Sequence, residues 1–113
     1  TPQRVLHLGR PAQAISAGFA HTCAITNGSV QCWGDNTGGE LGINSVTASS
    51  VARAVNAPLA SQIELMSAGQ DNTCAFNESG LAYCWGDNDQ LALGNGTSAS
   101  TDARVPTQHI CLP

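Results

Sequence analysis

Lysine is absent from this chain, and its only cationic side chains at neutral pH are four arginines set against eight acidic residues. Phosphate recognition needs clustered positive charge. Arg4, Arg10, Arg53 and Arg104 stand far apart in the sequence, and the formal net charge is -4, so nucleic acid is not an expected partner. Long apolar runs are also missing. No stretch approaches the roughly eighteen apolar residues of a membrane span, so no bilayer insertion is expected. No charged, then apolar, then small-residue opening marks a signal segment. The chain starts at Thr1 without an initiator Met, which reads as a processed, excised or partial chain.

Catalytic signatures are scarce as well. There is no nucleophile elbow, phosphate loop, zinc-protease helix or dinucleotide fingerprint. Glu40, Glu64 and Glu78 do not recur at matched positions, so no paired acid and base is expected. The sequence therefore predicts no enzyme, no cofactor and no metal centre.

What the sequence does have is a repeat. HTCAITNGSVQCWGDN at residues 21–36 returns as NTCAFNESGLAYCWGDN at residues 72–88. A period of about fifty residues marks propellers and solenoids, whose units bury their apolar faces only against a neighbour. The expected layout is one propeller segment over residues 1–113. Repeat 1 covers about 15–65, repeat 2 about 66–113, and residues 1–14 end a preceding unit. Two repeats are few for an independent array, so either further blades or other chains are expected to complete it.

Turn chemistry places four of the five cysteines. With Cys23 opposite Cys32, the two residues left over are Asn27-Gly28, the preferred type I′ hairpin turn. The cysteines then occupy a non-hydrogen-bonded pair, at a spacing of about 4.5 to 5.5 Å that a disulfide can bridge. With Cys74 opposite Cys84, the loop is Glu78-Ser79-Gly80, and Gly80 stands where a bulged hairpin needs a left-handed residue. Two different turns thus give the same opposition, which favours two cross-strand disulfides and an extracellular, cell-surface or periplasmic location. Buried thiol pairs in a reducing compartment are the alternative. Cys111 is left over, free or paired with a cysteine elsewhere.

Short β runs are expected at residues 14–17, 22–26, 29–33, 63–67, 73–77 and 81–85. Val5 and Val55 mark an additional short strand in each unit, and Val105 starts the next. Polar stretches at 44–50 and 95–102 read as solvated loops, the first with a possible helical turn at 51–55.

These residues resemble the repeat of the regulator of chromosome condensation family. The resemblance rests on ISAG-x-x-HTCAI at 15–25, V-x-CWG-x-N at 30–36 and GELG at 39–42, echoed by MSAG-x-x-NTCAF, CWGDN and LALG. It implies an all-β fold of two four-stranded antiparallel β-propeller blades, part of a ring of usually seven or one completed by other chains. It also implies partner binding through loops on a rigid scaffold. The second repeat departs from the pattern, with Gln90-Leu91-Ala92 in place of Gly38-Gly39-Glu40.

The remaining motifs read as structural. Gly18 and Gly69 serve a positive φ or the close approach of another strand. His21 is matched by Asn72, which can replace a hydrogen-bonding imidazole but not a proton-transferring one. Trp33 and Trp85 point away from the adjacent cysteines, into the contact between blades. Asp35-Asn36 and Asp87-Asn88-Asp89 read as Asx turns rather than a calcium loop. Asn27, Asn77 and Asn95 each open an N-glycosylation tripeptide. The expected function is a non-enzymatic extracellular propeller module that binds a protein or glycan. The alternatives are a structural subunit assembling edge to edge into a ring or filament, and a regulatory propeller of the guanine-nucleotide-exchange type.

Overall fold

The computed structural model describes residues 3–6, 8–9, 11–55, 62–78, 80–87 and the strand at 103–108. Its eight strands are β1 (Ala14–Ala17), β2 (His21–Thr26), β3 (Ser29–Gly34), β4 (Ser49–Ala54), β5 (Ile63–Ala68), β6 (Asn72–Asn77), β7 (Ala82–Gly86) and β8 (Ala103–Gln108). They form two four-stranded antiparallel sheets, ordered β1-β2-β3-β4 and β5-β6-β7-β8. Each sheet is one blade.

The hairpins follow from their turn residues. Asn27 and Gly28 both have positive φ, at 52° and 81°, as a type I′ turn requires. This brings Cys23 opposite Cys32. In the second blade Gly80 takes φ 83°, and its N–H bonds the Asn77 carbonyl at 2.9 Å, setting Cys74 opposite Cys84. Both disulfides are formed, each with a Cα–Cα distance of 4.1 Å.

Strand alternation gives each blade two unlike faces. In the first, Cys23, Ile25, Val30 and Cys32 share the disulfide face, while Thr22, Ala24, Gln31 and Trp33 share the opposite one. In the second, Thr73, Ala75, Tyr83 and Trp85 share the tryptophan face. The core is the contact of the first blade's disulfide face, with Leu41, against Ile63, Ala75, Tyr83 and Trp85 of the second. Burying each large apolar side chain there contributes about 1.5–3 kcal/mol. Neither blade has this core alone, which is the physical content of the repeat.

Several expectations need correction. Residues 49–54 form a strand, not the end of a loop or a helical turn; β4 pairs with the far side of β3. Only Ala52 of this edge strand is buried, so little alternation marked it in the sequence. Val55 lies just past β4, its N–H bonding the Val30 carbonyl at 3.1 Å. Val5 is not in a strand, although the neighbouring Leu6 carbonyl accepts the Ala52 N–H at 3.0 Å. Val105 belongs to β8, the fourth strand of the second blade, rather than to a following unit. The sheets divide between Ala54 and Ile63. The stretch 95–102, with Asn95, and Cys111 lie outside the described residues.

Candidate functional site

Antiparallel connectivity gathers particular loops at one end of the two blades. These are the β1–β2 loop at 18–20, the β5–β6 loop at 69–71, the β3–β4 connection at 35–48, and Asp87 after β7. The hairpin turns lie at the other end.

The tight loops are set by backbone contact. A Cβ on Gly18 would come 2.2 Å from the Gly69 carbonyl oxygen and 2.5 Å from the His21 ring. Close approach, not a positive φ, therefore demands this glycine. Gly34 and Gly86, which follow the tryptophans, take φ 114° and 106°. Their preceding tryptophans fall where the outer strand pairing shifts register. With the chain so constrained, the Phe19 N–H bonds the Gln70 carbonyl at 3.2 Å, while the Phe19 side chain is 79% exposed.

The long connection is pinned from within. Asn36 is buried; its side-chain N–H donates to the carbonyls of Ser45 and Thr47 at 2.8 and 3.0 Å, and its side-chain oxygen accepts the Leu41 N–H at 2.9 Å. Asp35 forms the expected Asx turn, accepting the Thr37 N–H at 3.3 Å. It also accepts the Thr37 hydroxyl at 2.6 Å, and that bond is the main reason its carboxyl lies below the usual range. The matched Asp87 is described; Asn88 is not.

Glu40 joins the blades. Its backbone carbonyl accepts the Trp85 indole N–H at 2.8 Å and the Thr73 hydroxyl at 3.2 Å. Since Thr73 donates to Glu40, we assign the proton of His21 to Nε2, donating to the Thr73 oxygen at 2.8 Å. Among the described residues, His21 Nδ1 then has a lone pair but no partner. Burial lowers the His21 pKa, partly offset by Asp71, the Asn72 backbone and Asp35. The ring is a fixed donor between blades, as its replacement by Asn72 suggested.

Carboxylate oxygens of Asp35, Glu40 and Asp71 lie within 4.8 Å of one another. Glu40 is buried, and this desolvation raises its pKa, with the neighbouring acids adding to the effect despite the Gly38 N–H donated at 2.8 Å. The three could offer oxygens to a cation, though calcium takes roughly six to eight. Sequence reasoning missed this convergence because Asp71 has a non-acidic counterpart, Ala20, in the other repeat. The matched loops, once paired at the rim, were the available signal.

The family described as "Regulator of chromosome condensation (RCC1) repeat" matches residues 12–40 and 63–91, and a second family of the same description matches 79–113. The chain belongs to the RCC1-repeat family. Its RCC1 repeats are 36% identical over 106 residues to the ultraviolet-B receptor UVR8 of Arabidopsis thaliana, covering 93% of this chain and 23% of the receptor. They are 32% identical over 99 residues to the probable E3 ubiquitin-protein ligase HERC4 of Homo sapiens, covering 86% of this chain and 9% of the ligase. Among solved structures, human WBSCR16 superposes with a TM-score of 0.85 at 20% identity, covering 96% of this chain and 27% of that one. Prp20p from Saccharomyces cerevisiae, studied for its binding to Gsp1p and histones, gives 0.82 at 22%, covering 95% and 27%. These likenesses fix the fold, and the chain spans about a quarter or less of each relative's length.

The other predicted residues fall in different places. Asn27 is exposed at its hairpin tip. Asn77 is buried and its side-chain oxygen accepts the Leu81 N–H at 3.1 Å. Trp85 fills the blade junction as expected, whereas Trp33 is only half-buried.

Proposed function

We propose that this RCC1-repeat segment is a non-enzymatic binding module whose rim of loops takes a protein partner. The observation that carries this reading is Phe19. A large aromatic side chain is held 79% exposed by a loop whose backbone bonds the next blade, so little ordering entropy is lost on binding. Asp35 and Asp71 flank the same rim, and their charge favours a partner segment carrying arginine or lysine. An aromatic anchor beside charge is a protein-binding pattern. It supports protein over glycan.

The two disulfides support an oxidising, extracytoplasmic setting for the protein. There Asn27 is the exposed described acceptor for a glycan. The test of the binding surface is a photo-reactive amino acid placed at position 19 in the disulfide-intact chain. Cross-links to a protein, lost in high salt and when Asp71 becomes Asn, are the expected result; cross-links to glycan alone, or none, would remove the reading. For the compartment, thiol titration of denatured, unreduced natural material should find one reactive group among the five cysteines. Five would place the chain in a reducing cytosol.

A further inference from the structure

The turn that joins β2 to β3 carries chemistry that the binding rim does not use. Asn27 is followed by Gly28, and the backbone nitrogen after an asparagine is a nucleophile within reach of that asparagine's own side-chain carbonyl carbon. Glycine has no Cβ to crowd the approach. Asn27 is exposed at the tip of the hairpin, with φ 52°, so water reaches its amide. The attacking nitrogen, however, is held. Its N–H donates to the side-chain oxygen of Gln13 at 3.0 Å. Gln13 stands just before β1 and is itself fixed, its backbone N–H donating to the Ile25 carbonyl at 2.7 Å. The hydrogen bonds that close a two-residue turn belong to the flanking pair, here Thr26 and Ser29. The Gln13 side chain is therefore an addition to the turn, bound to the one nitrogen that could start a reaction there.

We propose that Asn27 is a self-modification site, deamidating through a cyclic imide with Gly28, and that Gln13 sets its rate. The Gly28 nitrogen gives up its proton to solvent and forms a bond to Asn27 Cγ. The bond from Cγ to Nδ2 breaks, and the departing group takes a proton from solvent and leaves as ammonia. One water then opens the ring at either carbonyl, giving aspartate or isoaspartate at position 27 with no oxidant or reductant. A hydrogen bond donated by the neutral N–H opposes loss of its proton. Gln13 thus slows the first step. The matched turn of the second blade lacks the dipeptide, with Glu78 after Asn77. The products reach beyond the turn. The Gly28 carbonyl accepts the Ile63 N–H at 2.9 Å, and Asn27 lines a cleft of about 380 Å³ together with Glu64 and Glu78. Isoaspartate lengthens the turn backbone by one carbon, and either product adds negative charge to a cleft that already holds two glutamates. Either product also ends the role of Asn27 as a glycan acceptor.

The test incubates the disulfide-intact, unglycosylated chain at neutral pH and follows position 27 by peptide mapping, with isoaspartate read by enzymatic methylation. Gln13 is exposed, so substituting it spares the core. Gln13→Met removes the acceptor and should speed conversion of Asn27 about five-fold, the factor that one ordinary hydrogen bond supplies. Gln13→Glu keeps an acceptor oxygen and should stay near the parent rate. Asn95-Gly96, the other dipeptide of this kind in the sequence, is the reference within each digest and should convert equally in all three chains. An Asn27 that stays an amide in both the parent and Gln13→Met would overturn the proposal. So would equal rates in those two chains, a Gln13→Glu chain as fast as Gln13→Met, or a rise matched at Asn95.

Discussion

The two blades share a motif nearly residue for residue, yet Trp85 is fully buried and Trp33 only half-buried. The disulfides show the reverse bias: Cys23 and Cys32 are both sealed in the junction, whereas Cys74 is half-buried beside an open groove. A repeated sequence thus gives a repeated blade but not a repeated environment. Burial belongs to the contact between a disulfide face and the tryptophan face that follows it.

The sharpest way to break this comparison is to truncate each tryptophan. Trp85→Ala removes the largest buried side chain in the junction and leaves the Glu40 carbonyl with one donor fewer. It should cost about 3–5 kcal/mol, and Trp33→Ala about 1–2 kcal/mol, in urea unfolding of the isolated chain. Equal losses would mean that neighbour packing does not distinguish the blades.

The paired glycines offer a second asymmetry. Gly18→Ala drives a methyl into the Gly69 carbonyl, a backbone atom that cannot step aside, and should cost about 2–3 kcal/mol. At Gly69 the nearest obstacle is the Asn72 side-chain oxygen, which can rotate away, so Gly69→Ala should cost less than about 1 kcal/mol. Thermal unfolding of both variants measures the contrast.

Reduction probes the disulfides. Under native conditions a phosphine reductant followed by alkylation should label Cys74 and Cys84 before Cys23 and Cys32, as peptide masses will show, because access limits attack. Replacing either pair by alanines should cost about 2–3 kcal/mol, from loops of similar length.

The smallest effect is on pH dependence, at the matched pair His21 and Asn72. His21 has a folded pKa below its ordinary 6.5, so the unfolded chain binds more protons and stability falls as pH drops below 6.5. His21→Asn, copying Asn72, should flatten that fall. Glu40 acts in the opposite sense: its raised folded pKa gives stability that is lost as pH climbs from 4.5 through the folded value. Melting temperature measured from pH 4 to 7 in the parent, His21→Asn and Glu40→Gln chains, with pH 4 and 7 as approximate bounds of the titrations involved, separates the two.

Much of the fold was legible because its signals are local. Asn27-Gly28 and Gly80 fixed two turns, and through them the pairing of four cysteines. β4 escaped notice because an edge strand with one buried residue has little alternation to read. The carboxylate convergence escaped too, since Asp71 reaches Asp35 and Glu40 only when blades stack, and the buried amide of Asn36 looked like one more turn residue.

The sequence by itself determined the repeat, the hairpin registers and the disulfide partners, because each depends on residues a few positions apart. The packing of the blades decided which tryptophan is buried and which acids meet. Those depend on how one blade packs against another, a contact between residues about fifty positions apart that no local pattern encodes.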